Sequence, residues 1–236
     1  MSDLSAFPIT HKWPAKNPNI IQLYSLPTPN GIKVSVMLEE TGLAYEPHLV
    51  NFGTNDQTTP EFMSLNPNNK IPAIIDPNGS NGKPLAIWES GAIMIHLAEK
   101  FGKFLPSDAA KRFETLQWLF WQVGGFGPML GQLGYFHTFA GKEIEDQRPK
   151  QRYIDEAKRL FTMLEKHLDG KEFVAAGEYT IADMVIWPWI NTFYGFYKAG
   201  HLIGEEAAFP NIRSYLARCL ARPASAKGIS IPARPA

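Results

Sequence analysis

Ile20-Ile21-Gln22-Leu23-Tyr24, followed by Ser25-Leu26-Pro27-Thr28-Pro29-Asn30-Gly31, decides the fold of this chain. The apolar run reads as a short buried strand, and the Pro, Asn and Gly cluster after it as a turn. Val34, Met37, Leu38 and Thr41 then recur at helical spacing, and Gly42 stops the helix at the usual C-terminal position. Working outward, Tyr45 to Phe52 predicts a second strand and Pro60 to Leu65 a short turn of helix. Pro72 to Ile75 and Pro84 to Trp88 read as two strands of a hairpin, with Asp76-Pro77-Asn78-Gly79 as the turn. Ser90 to Phe101 closes the series as a helix with Ile93, Met94, Leu97, Ala98 and Phe101 on one face. The order strand, helix, strand, helix, strand, strand, helix is that of a thioredoxin-like domain.

Beyond Leu105-Pro106-Ser107-Asp108 the strand signals stop. Phe113, Leu116, Phe120 and Val123 form a helical stripe broken by Gly124-Gly125 and Pro128. Ile154, Ala157, Phe161, Leu164 and Leu168 line a long amphipathic helix. Thr180-Ile181-Ala182-Asp183 has the form of a capping box that opens a buried run through Trp187-Pro188-Trp189, and Pro210 starts a last helix reaching about Ala221. The fold class is therefore α/β plus all-α. The expected divisions are an extended arm at residues 1–19, a thioredoxin-like domain at 20–105, an all-helical domain at 106–224 and a tail at 225–236.

Composition removes several function classes. The 236 residues carry 23 Lys plus Arg and 23 Asp plus Glu, so the net charge is zero and nothing draws the chain to a polyanion. Neither nucleic acid nor a membrane surface is expected as partner. A hydrophobic share of 44% against 19% charged residues is that of a soluble globular protein, and no apolar stretch has the length of a membrane span. The single cysteine, Cys219, excludes an internal disulfide, and the six histidines never fall at zinc spacing, so no metal is expected. The first residues lack a signal-peptide core, which points to the cytoplasm.

Three segments converge by topology. Thr28 and Asn30 lie in the strand-to-helix turn, where a helix N-terminus offers N–H groups to an anion, with Ser25 as a rival. The plainer alternative is that Pro, Asn and Gly merely make a turn and Thr28 caps the helix. Ile71-Pro72 opens a strand, where the free backbone edge suits an extended peptide. Glu89 and Ser90 start a helix, and together suit the ammonium and carboxylate of an amino acid, or simply cap the helix. Tyr24 lies inside the strand and reads as packed, as does Cys219 near the end of the last helix. The acidic cluster Glu143, Glu145 and Asp146 reads as a solvated loop.

The ordered set Thr28-Pro29-Asn30-Gly31, Asn66-Pro67-Asn68-Asn69-Lys70-Ile71-Pro72-Ala73 and Glu89-Ser90-Gly91 resembles the glutathione transferase superfamily. Trp118-Leu119-Phe120-Trp121-Gln122 and Tyr179-Thr180-Ile181-Ala182-Asp183-Met184 narrow it. They resemble the bacterial nu class of disulfide-bond oxidoreductases, related to the catalytic domain of the yeast nitrogen-regulation prion protein. The resemblance covers roughly residues 20–224. It implies glutathione as cosubstrate, as two molecules or as the disulfide, with a small disulfide or electrophile as second substrate. It implies that Ile71 pairs through its backbone with the cysteinyl part, with Pro72 cis. Glu89 and Ser90 would hold the γ-glutamyl head, Gln57 the glycine end, and Arg152 would reach over from the helical domain. Thr28 and Asn30 would lie beside the sulfur.

The resemblance thus implies a disulfide reductase that uses the thiol of bound glutathione, with transferase or peroxidase side activity. The absence of a cysteine from the turn fits it. Conventional conjugation with Ser25 as thiol activator, and a non-catalytic binding module, are the alternatives. A homodimer is implied as well. Trp13, Lys16 and Asn17 of the arm are further candidates for the site.

Overall fold

The computed structural model describes residues 4–79, 82–204 and 206–234. It divides into two compact units, one running to Gly102 and taking back the segment from Pro223 onward, the other Lys103–Arg222.

In the first unit the elements are α1 (Ile9–Lys12), β1 (Ile21–Ser25), α2 (Pro29–Thr41), β2 (Tyr45–Leu49), α3 (Pro60–Leu65), β3 (Ala73–Asp76), β4 (Leu85–Trp88), α4 (Ser90–Phe101) and, from the chain's end, α11 (Pro223–Gly228). The sheet order is β2-β1-β3-β4. β1 pairs in parallel with β2 because α2 carries the chain back across the sheet, and antiparallel with β3. All five β1 residues are buried, as a central strand covered on both faces requires. β2 is shorter than the sequence predicts. The Asn51 side chain accepts from the Gly53 N–H and turns the chain into a 3-10 turn at Phe52–Thr54.

The two chain ends depart from expectation. The arm is not merely extended on the surface: it forms α1 and buries Leu4 and Ile9 in one cluster with Tyr24, Phe62, Ile71 and Ile75. An apolar sheet face left open to water would be costly, and these arm residues cover it. The Trp13 indole N–H donates to the Leu49 carbonyl at 3.0 Å and fixes the arm to β2. The tail likewise is structured at its start, where α11 packs on α2.

The second unit is helical: α5 (Ala109–Trp121), α6 (Gly127–His137), α7 (Arg148–His167), α8 (Ile181–Gly195), α9 (Gly200–Ile203) and α10 (Pro210–Leu220). The break expected at Gly124-Gly125 is a single wide π-turn, Gln122–Phe126, between α5 and α6. The Thr180 capping box is complete, its N–H donating to Asp183 Oδ2 at 2.8 Å. Asp183 also accepts from the Val174 N–H, and burial pushes its carboxyl up to about 6. α8 is buried along most of its length, Trp187-Pro188-Trp189 included. Among the described residues no helix is long and apolar enough to cross a membrane.

Candidate active site

The turn between β1 and α2 is held very close to its own helix. A Cβ on Gly31 would fall on the Leu26 carbonyl oxygen and 2.5 Å from Ser25 Oγ, so only glycine lets the loop fold back this tightly. Thr28 caps α2: its Oγ1 accepts from the Gly31 N–H at 3.3 Å, and Pro29 follows, where a missing N–H costs nothing. A hydroxyl that accepts from the backbone still has its proton to donate. Thr28 and Asn30 are both half-buried, at the mouth of the turn. Ser25 is 0% exposed, and its hydroxyl donates to the Leu26 carbonyl at 3.4 Å. Tyr24 is also fully buried, stacked on His48, and burial raises its pKa.

Strand register brings the other two segments to the same end of the sheet. Ala73 pairs with Tyr24 on one side and with Trp88 on the other. The end of β1, the start of β3 and the end of β4 therefore lie side by side, and Ser25, Pro72 and Glu89 follow one another across the sheet. Ile71–Pro72 is cis, and Ile71 precedes the paired residues of β3, so its backbone lies outside the strand pairing.

The loop ahead of it is organised by Asn66, which is buried. Its amide donates to the Lys70 carbonyl at 2.6 Å and accepts from the Asn68 N–H at 2.9 Å, while Asn69 takes a left-handed φ of 57°. The buried side-chain oxygens of Asn69 and of Gln57 have no hydrogen-bond partner among the described residues. Such acceptors are expensive unless a ligand or water donates to them. Gln57 sits in a short 3-10 turn, Asp56–Thr58, ahead of α3.

Glu89, between β4 and α4, has a φ of 71° and is exposed, and Ser90, 8% exposed, starts α4. Behind Ser90 stands a residue that the sequence reading passed over. Lys33 of α2 is 1% exposed, and its Nζ donates to Ser90 Oγ at 3.2 Å. Burial lowers its pKa to about 7 against the opposing pull of the Glu89 charge. The sequence signal is faint: Lys33 is the one charged residue in Gly31-Ile32-Lys33-Val34-Ser35-Val36-Met37-Leu38, and it is the structure that shows this run buried throughout.

Arg152 stands on α7 of the second unit, its side chain 68% exposed and 3.9 Å from Glu156. Cys219 is fully buried in α10, and burial pushes its thiol pKa up. Glu143, Glu145 and Asp146 are exposed. In the arm, the backbone N–H groups of Lys16 and Asn17 donate to the Glu46 carboxylate. Among the described residues no group of three His, Cys, Asp or Glu could hold a metal ion.

This arrangement sets a capped helix start, a free strand edge and a buried Lys–Ser pair at one end of the sheet. Comparison with known proteins gives the family. Residues 20–99 match the glutathione S-transferase N-terminal domain, and residues 147–218 match the C-terminal domain. The disulfide-bond oxidoreductase YfcG of Escherichia coli (strain K12) is 42% identical over 211 residues, 89% of this chain and 94% of that protein. The chain belongs to the glutathione S-transferase family.

Disulfide-bond oxidoreductase YghU of the same strain is 43% identical to this transferase over 88% of the chain and 73% of that protein. A glutathione transferase from Burkholderia graminis, solved with two glutathione molecules bound per subunit, is 61% identical. It superposes with a TM-score of 0.97 over 100% of this chain and 98% of its own. One from Pseudomonas putida, solved with one glutathione disulfide per subunit, is 57% identical, with a TM-score of 0.95 over 98% and 99%.

Proposed function

We propose that this transferase is a glutathione-dependent disulfide reductase in which the reactive thiol is that of bound glutathione. The observation that carries the reading is the Thr28 cap: a hydroxyl fixed by Gly31 at a helix N-terminus, its proton available, in a turn that holds no cysteine. A free thiol has a pKa near 8.5 and reacts as the thiolate. One neutral donor contributes on the order of 1 kcal/mol, and the helix N-terminus a similar amount. Together they lower the thiol pKa by about one to two units, which brings it to near-neutral pH.

Ile71 would pair with the cysteinyl backbone, Glu89 with the γ-glutamyl ammonium, Ser90 with its carboxylate, and the unpartnered Gln57 oxygen would accept from the glycine amide. Asn30, two residues past Thr28, is the second sulfur-side donor. The glutathione thiolate attacks one sulfur of a small disulfide, forming a mixed disulfide and expelling the other sulfur as a thiolate, which takes up a proton. A second glutathione then attacks the mixed disulfide, giving glutathione disulfide and the second thiol. Sites of this class in the Burkholderia and Pseudomonas neighbours hold two glutathiones or their disulfide, which fits such a sequence. Conjugation with Ser25 as activator is disfavoured by the complete burial of that hydroxyl. We take the enzyme to act as a homodimer, as the sequence resemblance implies.

The test is reduction of 2-hydroxyethyl disulfide by glutathione with the Cys219→Ser and Cys219→Ala proteins. Turnover close to wild type is expected in at least one folded variant, because a sealed cysteine takes no part. Loss of turnover in both, with folding and glutathione binding intact, would overturn the reading.

A further inference from the structure

We propose that Lys33 is a positioning residue for the carboxylate bound at Ser90. It fixes the Ser90 hydroxyl as a donor toward the ligand and places a buried positive charge directly behind it. The inference rests on the reading of the site given above and adds to it a residue that never touches the ligand.

The geometry carries the argument. Lys33 Nζ donates to Ser90 Oγ across two helices, α2 and α4, inside the fold. A serine hydroxyl has one proton, so an oxygen engaged by an ammonium turns that proton outward. Toward the outside of α4 the only group of the proposed ligand that accepts strongly is a carboxylate. A charge-assisted chain of this kind, ammonium to hydroxyl to carboxylate, is stronger than either link between neutral groups. Glu89, which is exposed, immediately precedes Ser90 at the start of α4. The pair thus presents negative and positive charge in adjacent places, matching the ammonium and carboxylate of one amino-acid head.

A second feature separates this role from a structural one. A lysine with 1% exposure whose charged form is disfavoured by its surroundings costs the fold stability. A residue kept only for packing would be better as methionine, which fills a similar volume without a charge. Its hydrogen bond to Ser90, which starts α4 at the proposed site, gives Lys33 a reason to be there that packing alone does not.

The experiment measures glutathione binding by calorimetry and disulfide reduction for wild type, Lys33→Met, Lys33→Arg, Ser90→Ala and the Lys33→Met/Ser90→Ala double variant, with thermal melting of each ligand-free protein. Lys33→Met is expected to weaken glutathione about tenfold and to raise its KM alike, with kcat within about twofold and a melting temperature at or above wild type. In the Ser90→Ala background the same change is expected to cost less than twofold, because its effect passes through the hydroxyl. Equal losses in both backgrounds, or no loss in the first, would overturn the proposal. So would a lowered melting temperature with unchanged affinity in the folded fraction. If Lys33→Met does not fold, Lys33→Arg decides: it keeps the charge, so wild-type affinity is expected, and an affinity loss with a normal melting temperature overturns the proposal. Failure of wild type itself to bind glutathione would instead sink the reading of the site.

Discussion

The Ser35 hydroxyl donates to the carbonyl oxygen of Gly228 at 2.7 Å, closing a separation of 193 residues. Through it the end of the chain rejoins the helix that begins at Thr28. Helices α2 and α11 touch closely enough that a Cβ on Gly228 would lie 2.7 Å from Val36 Cγ2 and 2.8 Å from its backbone nitrogen. Backbone cannot give way as a flexible side chain does. Gly228→Ala is therefore expected to destabilise the first unit by about 1–3 kcal/mol through overpacking. Chemical denaturation followed by tryptophan fluorescence reads this directly, and an unchanged midpoint would mean that α11 can lift away from α2 at little cost.

Thr28 has two separable tasks, capping α2 and donating to sulfur. Alanine removes both, with about 1 kcal/mol lost from the cap and at least tenfold lost from turnover. Aspartate caps as well as threonine but donates nothing and brings a negative charge beside the thiolate. Thr28→Asp is expected to keep the melting temperature within a few degrees while reducing turnover more than alanine does. Ser25→Ala, by contrast, should leave turnover within about twofold. If Ser25→Ala proved the more damaging of the two in a folded protein, the activating hydroxyl would be assigned to Ser25.

How far the sequence reached can be argued from these residues. The β1–α2 turn, the Ile71–Pro72 opening of β3 and the Ser90 helix start are local signals: special residues at the ends of short apolar runs, each legible within about ten positions. Their convergence followed from element order, while the strand register that aligns them is seen only in the structure. Lys33 was missed because a lysine in a helix is normally a surface residue, and only burial of the whole run around it reveals otherwise. The two chain ends were read as arm and tail because their anchors are remote. Neither the Ser35–Gly228 bond nor the burial of Ile9 against Tyr24 has any periodic signature in the chain.

Trp13 is the chief anchor of that N-terminal segment. Besides its bond to Leu49, it meets Tyr24 and Phe62 edge-on, with ring centroids at 6.0 and 6.4 Å. Trp13→Phe keeps most of the ring contact and leaves the Leu49 carbonyl without its donor, a loss of about 1 kcal/mol. Trp13→Ala removes the contact too, and about 3 kcal/mol is expected. The spacing between the two variants in a denaturant titration measures how much of the anchoring is ring packing. Equal effects would assign it all to the hydrogen bond.

Asp76 gives the clearest dependence on pH. It is 1% exposed at the end of β3. Burial alone would raise its pKa, but hydrogen bonds from His96, Lys100 and the Asn78 N–H together hold it at about 2. The unfolded chain binds this proton near pH 3.9, so the folded state holds fewer protons between pH 4 and 2. The stabilisation is complete above about pH 4 and is lost as pH falls through that window. A shift of about two units corresponds to roughly 2.5 kcal/mol at neutral pH. Asp76→Asn should lower stability at pH 7 by at least that amount, since it also leaves the Lys100 ammonium facing a neutral amide. The gap between variant and wild type should narrow steadily from pH 4 to pH 2, as protonated aspartate comes to resemble asparagine. A gap that stays constant over this range would show that the Asp76 side chain acts through shape and neutral hydrogen bonds, not through its charge.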